Sequence, residues 1–394
     1  MPELLRIQEP TARGGQPQWR SFLELGFRPL YLAGCLWAAV SIALWIFAPG
    51  WLTGRLNPIA WHAHEMLWGF IATIALGFLL TAGANWTGTN PIQGRALGAL
   101  AALWVIARLG FLMPGDAVFF IAAGAELLLF AGAAIALARV IFPAANKRNH
   151  GVPLLVLGLG ATDAWYLQTA LSGNHLDLMA RFETGLLIMA VLALLIARRV
   201  IPFFAMRATA GLSIPLHTTS GLWQIGLALA TIILGLTGQQ MLAGVALALV
   251  GVIALIQVIS WQPMRVRHNP LLWVLYAGYA ALGAGLTVAA LHDLGVGLRT
   301  AWSVHLIAVG GFSVLIAGMV TRTALGHLGR PLRADRLMVS MYLLVIAAAA
   351  LRLIALIDHP IAQPAVQASA LAWISAFVLY LWRFAPMLIR PKAG

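Results

Sequence analysis

The sequence predicts an all-α, polytopic membrane protein with about 12 transmembrane helices, and three observations lead to this fold class. Apolar side chains make up 61% of the 394 residues and charged ones only 9%, whereas soluble domains carry roughly a quarter charged residues. Apolar runs of about 20 residues, the length of one membrane span, recur along the chain. The basic residues alternate in abundance between successive loops. We therefore expect a single integral membrane domain over residues 1–394, with 1–28 as a cytoplasmic N-terminal segment, and no nucleic-acid partner.

Glycine, proline and charged residues divide the apolar runs into individual spans. Gly- and Ala-rich stretches within them are typical of helices that approach each other closely in lipid. The division between the seventh and eighth spans remains open, because the polar turn at Gly238, Gln239 and Gln240 is short. The predicted spans are 29–48, 61–84, 95–113, 117–141, 152–171, 178–201, 219–236, 239–261, 271–292, 301–320, 334–357 and 367–390.

The distribution of Lys and Arg predicts the orientation. With residues 1–28 in the cytoplasm, 20 of the 25 basic residues fall in cytoplasmic segments or at cytoplasmic helix ends. This asymmetry is what the positive-inside rule requires. It predicts that both termini lie in the cytoplasm, and it accounts for the net charge of +13 without nucleic acid. The five basic residues on the outer side are Arg55, Arg108, Arg181, Arg299 and Arg352.

The second predicted span begins on the outer side with the sequence Trp61-His62-Ala63-His64-Glu65-Met66. Two imidazoles at i and i+2 of a helix diverge by about 200°, so His62 and His64 would serve two centres on opposite sides of the helix. If the helix begins only at His64, the two could instead converge on one ion. A pair of histidines beside Glu65 favours metal or haem ligation, although interfacial histidines next to a tryptophan belt would give the same pattern.

His305 lies one turn inside the outer end of the tenth span, at a depth similar to that of His64. Gly310, Gly311 and Gly318 follow it and leave room for a flat macrocycle or for a close helix. Haem b needs one or two neutral imidazoles and an apolar slot, so His62, His64 and His305 are the candidate metal and haem ligands. The chain has no Cys-x-x-Cys-His motif, which excludes covalently attached c-type haem.

Charged residues inside spans are costly and are often functional. The candidates for proton relay are Glu126, Asp163 and Glu183. Three arginines lie on the correct side to neutralise haem propionates: Arg108, Arg181 and Arg352. Structural ion pairs would explain all six equally well. His327 lies in a basic cytoplasmic loop, either as a second ligand or as part of a solvated positive loop.

Five segments of the chain resemble the NnrS family, and the resemblance covers essentially its whole length. The segments are Phe27-Arg28-Pro29, the Trp61–Met66 motif, Leu80-Thr81 through Asn85-Trp86-Thr87-Gly88, Arg199-Val200-Ile201-Pro202-Phe203-Phe204, and Thr321-Arg322 through Leu325-Gly326-His327-Leu328-Gly329-Arg330-Pro331. The resemblance implies a twelve-span inner-membrane protein that contains haem and copper and is linked to nitric oxide metabolism.

The resemblance also selects individual residues. Carried over by matching motifs, it points to His62, His64, Glu65, His305 and His327. Members often have a histidine in the fifth span, where this chain has Asp163-Ala164-Trp165-Tyr166-Leu167-Gln168 and no imidazole. If that position is a ligand elsewhere, this chain has lost it or has replaced it with Gln168 or Tyr166.

Together these features predict a haem-dependent enzyme that reduces nitric oxide to nitrous oxide with electrons from membrane quinol. The expected cofactors are one or two haem b groups, with copper or non-haem iron as a possible second centre. His64 and Glu65 are the expected catalytic residues, because a carboxylate beside the metal could relay protons or help to hold an ion. Two other functions stay open: a non-catalytic nitric oxide or haem binder, and a transporter of copper or a metal–nitrosyl species.

Overall fold

The structure is a computed structural model that describes residues 16–144 and 147–392. Helices account for 80% of it, and the described residues contain no strand. Twelve of the helices in these residues have 17 residues or more. We number them Phe27–Phe47 (α1), Pro58–Thr87 (α2), Gly94–Gly110 (α3), Asp116–Ile141 (α4), Gly151–Ser172 (α5), His175–Ala208 (α6), Thr218–Leu236 (α7), Gln240–Ser260 (α8), Pro270–Asp293 (α9), Thr300–His327 (α10), Arg336–Ile354 (α11) and Ala362–Leu388 (α12).

Ten of these helices are long and apolar enough to cross a membrane, which confirms an all-α, multi-pass membrane protein. The other two, α3 and α5, lie at the third and fifth predicted spans and have 17 and 22 residues. The helices α7 and α8 are separate, so the division of residues 219–261 into two spans is correct. Shorter helices lie at Trp19–Phe22, Pro49–Trp51, Lys147–Asn149 and Pro263–Val266.

The helix α2 lies at the centre of the bundle. It contacts α1, α4, α5, α6 and α10, and 83% of its most apolar window is buried, against 67% for α10 and less for the other candidate spans. A central helix surrounded by protein can carry polar side chains that no lipid-facing helix would tolerate. The residues of α2 are therefore the ones best placed to form an internal polar site.

Both α2 and α10 contain a π-helical segment that begins directly after a histidine. The segment of α2 runs from Glu65 to Ala72, and the segment of α10 runs from Leu306 to Ser313. The two segments contact each other in the interior of the bundle. Such segments are rare and occur frequently at functional sites. We call the end of the bundle at which α2 and α10 begin, marked by Pro58 and Thr300, the histidine end.

Polar side chains stabilise the π-helical segments. In α2, the Thr73 hydroxyl donates to the carbonyl oxygens of Gly69 at 2.9 Å and Trp68 at 3.2 Å. In α10, the Ser313 hydroxyl donates to the Ala308 carbonyl at 2.8 Å. These bonds reach back four or five residues and satisfy carbonyl groups that a regular α-helical pattern would have paired with backbone amides.

Candidate functional site

His64 lies at the centre of a fully buried polar cluster formed by three helices. Its Nδ1 lies 3.0 Å from Oε1 of Glu65, the next residue of α2. Its Nε2 lies 3.0 Å from Oδ1 of Asp163 on α5 and 3.3 Å from Oε2 of Glu126 on α4. All four side chains are 0% exposed. We call these four residues together with Arg108 the His64 cluster.

Arg108, near the end of α3, supplies a permanent positive charge to the His64 cluster. Its Nη1 donates to Oε2 of Glu65 at 2.5 Å, and its Nη2 forms an ion pair with Oε1 of Glu126. The guanidinium is 1% exposed. Because both ends of it are bound to carboxylates, Arg108 is occupied within this cluster, whereas the sequence suggested it as a partner for haem propionates.

Glu65 is held by a further donor that the sequence analysis did not single out. The Trp37 indole of α1 donates to Oε2 of Glu65 at 2.5 Å. Gly69 lies one turn further along α2, and a Cβ there would lie 2.6 Å from the same oxygen and closer still to Arg108. The absence of a side chain at Gly69 therefore leaves the space in which Arg108, Glu65 and Trp37 meet.

Aromatic rings enclose the imidazole of His64. Its ring centroid lies 4.7 Å from that of Phe111, 5.5 Å from Trp68 and 6.0 Å from Tyr166. The Tyr166 hydroxyl donates to the Ala60 carbonyl at 2.8 Å and so attaches α5 to the first turn of α2. The rings exclude water from the carboxylates, which strengthens the electrostatic interactions among them.

His62 faces a different set of neighbours. Its ring stacks on Trp45 of α1 with centroids 3.8 Å apart and planes 6° apart. His305 and Arg352 lie near enough for their charges to affect that of His62. Because α2 begins at Pro58, both histidines lie within a regular helix, and the alternative in which His62 and His64 converge on one ion is wrong.

His305 has one ring nitrogen bonded and one unbonded. Its Nδ1 lies 2.7 Å from the Ala301 carbonyl oxygen. A carbonyl can only accept, so Nδ1 must carry the proton and Nε2 keeps its lone pair. The Nδ1 of His62 is also buried, with no hydrogen-bond partner in the described part of the chain. Within the described residues, each of these two histidines therefore has a ring nitrogen that makes no hydrogen bond.

His327, Glu183 and Arg181, which the sequence also suggested, lie outside the His64 cluster. His327 ends α10, 22 residues and so about 33 Å from His305, and its ring packs on Phe27 with centroids 5.5 Å apart. Glu183 lies near His292 and Asp293, which separates it from the other two candidate proton carriers. Arg181 lies over the Trp165 ring at 3.8 Å.

Asp163 is the residue of the fifth predicted span that contacts the ring nitrogen of His64. The Tyr166 ring packs against His64 but its hydroxyl is bonded to the Ala60 carbonyl, and Gln168 is exposed, so neither directs a ligand atom at His64. Asp163 does, through Oδ1. Trp37 and Gly69 had no distinctive sequence signal, because an isolated Trp or Gly in an apolar helix is common.

Comparison with known proteins gives one family. The family model described as NnrS protein matches residues 21–392, nearly the whole chain. A search of the curated proteins gives no match.

Proposed function

Because the chain belongs to the NnrS family, we propose that it is a haem-dependent nitric oxide reductase that takes electrons from quinol. It would act in the inner membrane of a bacterium, in denitrification or in defence against nitrosative stress. The family is one of membrane proteins linked to the response to nitric oxide. The proposal goes further, to a reaction, a cofactor and an electron donor.

The single observation that carries the proposal is the division of α2 between two polar sites. On one side, His62 lies with His305 and Arg352; on the other, His64 lies with three carboxylates. Coupling two nitric oxide molecules needs an iron centre with an open position, a second site close to it and a supply of protons. Because one helix turn carries both histidines, it supports the proposal of two such sites next to each other.

The residues on the His62 side fit a haem. The Ala301 carbonyl accepts from Nδ1 of His305 and so orients the ring with Nε2 available, as a backbone carbonyl commonly does for a metal-bound histidine. His62 has a buried nitrogen without a partner. A haem bound there would supply the ferrous iron at which nitric oxide binds. Arg352, which is half-buried beside both histidines, carries the charge that would pair with a propionate.

The reaction balances with quinol as the reductant. One quinol and two nitric oxide molecules give one quinone, one nitrous oxide and one water, because the quinol delivers two electrons and two protons. The buried carboxylates of the His64 cluster are the groups that could pass those protons to the reacting oxygen. Glu126 and Asp163 are best placed, since each lies within 3.3 Å of the His64 imidazole.

A direct test uses purified protein with haem bound, in detergent, with a reduced quinol analogue and dissolved nitric oxide. We expect an electrode to record nitric oxide consumption and gas chromatography to find one nitrous oxide for every two nitric oxide molecules. His305→Ala should abolish consumption and change the haem spectrum. The matched control is His327→Ala, on the same helix, which should change neither.

Two other results would assign the protein to another class. If ferrous protein binds nitric oxide, as seen in its spectrum, but does not turn over with donor present, the protein is a binder or sensor. If copper accumulates in proteoliposomes without nitric oxide consumption, it is a transporter. Either outcome refutes the reductase.

A further inference from the structure

The formal charges of the His64 cluster do not balance. Glu65, Glu126 and Asp163 contribute three carboxylates, all 0% exposed, and Arg108 contributes one guanidinium. With a neutral imidazole the net charge is −2. Buried charge without a counter-charge is expensive, so a cluster of this kind takes up cations or protons until it is close to neutral. Two protons or one divalent ion would bring the sum to zero.

The orientation of His64 directs its second ring nitrogen at two carboxylates. Its Nδ1 lies against Glu65, which can only accept when ionised, so Nδ1 donates its hydrogen there. The Nε2 atom then faces carboxylate oxygens of Glu126 and Asp163. In the neutral imidazole this nitrogen carries a lone pair, and a lone pair facing two carboxylates is repulsive unless a proton or a metal ion lies between them. A metal ion would use the lone pair and both carboxylates as ligands at once.

An unpartnered oxygen provides an independent indication. Asp163 Oδ2 is buried and has no hydrogen-bond partner in the residues that the structure describes, while its Oδ1 faces His64. A metal ion would use this oxygen as a second donor from the same carboxylate.

The donor distances also suit a metal ion. One donor atom from each of His64, Glu126 and Asp163 lies within 4.8 Å of the others, with Nε2 at 3.0 and 3.3 Å from the two oxygens. Donors bound at about 2.1 Å to one ion lie roughly 3.0–3.4 Å apart at octahedral or tetrahedral angles. A small movement of side chains would thus be enough for binding.

We propose that His64 Nε2, Glu126 and Asp163 bind a divalent first-row transition-metal ion, with Glu65 orienting the imidazole. One imidazole and two carboxylates, without a thiolate, favour Fe²⁺, Mn²⁺ or Zn²⁺ over Cu⁺. Glu65 completes the carboxylate–histidine–metal arrangement that fixes the tautomer of metal-bound histidines. This site would supply a second metal to the proposed reductase, and only that use of the metal rests on the proposed function. Metal binding itself is measured without nitric oxide.

The test is the metal content of the full-length protein after purification in detergent. Total metals are measured by mass spectrometry and haem by its pyridine adduct, so that haem iron can be subtracted. We expect one equivalent of a non-haem divalent metal per chain, which a chelator removes and Mn²⁺ or Co²⁺ restores. Asp163→Asn and Glu126→Gln remove a ligand charge with little change in shape and should lower metal affinity by roughly tenfold or more.

Glu183→Gln is the matched control, because Glu183 is another acid of a candidate span but lies near His292 and Asp293. It should keep the full metal content. Chromatography and circular dichroism identify variants that do not fold. If the ligand variants do not fold, the visible spectrum of Co²⁺ in the wild-type protein still decides, since a histidine–carboxylate site gives absorption bands that differ from those of hydrated Co²⁺. The proposal would be overturned if the wild-type protein neither retained nor took up a divalent ion. It would also be overturned if Asp163→Asn, Glu126→Gln and Glu183→Gln bound the metal with equal affinity.

Discussion

The space at Gly69 makes a sharp prediction about the His64 cluster. In Gly69→Ala the new Cβ would lie 2.6 Å from Oε2 of Glu65 and closer still to Nη1 of Arg108. Ordinary contacts need about 3.5 Å, so Glu65 must move by roughly 0.9 Å and Arg108 by more. The pair between them is bonded at 2.5 Å, and neither group has solvent to move into. The substitution should therefore separate a buried ion pair.

Two terms give the expected cost of Gly69→Ala. Overpacking a well-packed interior costs about 1–3 kcal/mol, and disrupting a buried ion pair costs up to about 3–5 kcal/mol. Taking about 2–5 kcal/mol in all and roughly 2.1 cal/mol/K of unfolding entropy per residue, we expect the unfolding midpoint in detergent to fall by about 2–6 °C.

The assay is thermal unfolding followed by tryptophan fluorescence or circular dichroism. Gly124→Ala is the control, because Gly124 is also within a helix but a Cβ there would meet nothing within 4 Å. It should be neutral or raise stability by about 0.5–1 kcal/mol. Equal midpoints for wild type, Gly69→Ala and Gly124→Ala would show that the Arg108–Glu65 pair does not fill the space beside Gly69.

Three further predictions concern single side chains. Arg352→Gln should make haem dissociate roughly tenfold faster or more, since a charged hydrogen bond contributes about 1.5–3 kcal/mol. The dissociation rate is measured by the transfer of haem to apomyoglobin. Arg55→Gln, which removes an exposed ion pair with Asp116, is the control and should leave that rate unchanged. Tyr166→Phe removes the donor to the Ala60 carbonyl and should lower the free energy of unfolding by about 1–3 kcal/mol. An unchanged midpoint of thermal unfolding would mean that this hydrogen bond does not attach α5 to α2. Burial alone would raise the pKa of Asp335, but the hydrogen bonds from Arg383 and from the Met338 amide lower it. The ionised Asp335 therefore stabilises the protein at pH values above the ordinary pKa of an aspartate. This stabilisation is lost as the pH falls through the lowered pKa. Asp335→Ala should then lower the free energy of unfolding by about 1 kcal/mol more than Asp335→Asn, because Asn still accepts the helix-capping hydrogen bond. Equal losses in the two variants would contradict the hydrogen bond from the Met338 amide to the Asp335 side chain.

Much of the fold could be predicted because it depends on local sequence. A run of about 20 apolar residues forms a helix in lipid whatever its neighbours are, and so the predicted spans coincide with long helices. The divergence of His62 and His64 is equally local, since it follows from the angle per residue once Pro58 begins the helix.

The composition of the His64 cluster could not be predicted, because it depends on how four helices rotate against each other. The sequence suggested Arg108 for propionates and Glu126 and Asp163 for protons, as separate groups. The structure brings all three to His64. Rotation of a helix about its axis is set by packing against neighbours, and an isolated Glu or Arg within a span does not reveal its partner.

The two π-helical segments have a mechanical consequence. An α-helix turns about 100° per residue, and a wider turn resets the angle between the parts on either side of it. If the same residues Glu65–Ala72 closed as a regular α-helix, the Pro58–His64 segment would rotate by about a quarter of a turn relative to Thr73–Thr87. His64 would then leave Asp163, and His62 would leave Trp45. The wide turn in each segment thus fixes the direction in which the histidines point, and with it the alignment of the two sites.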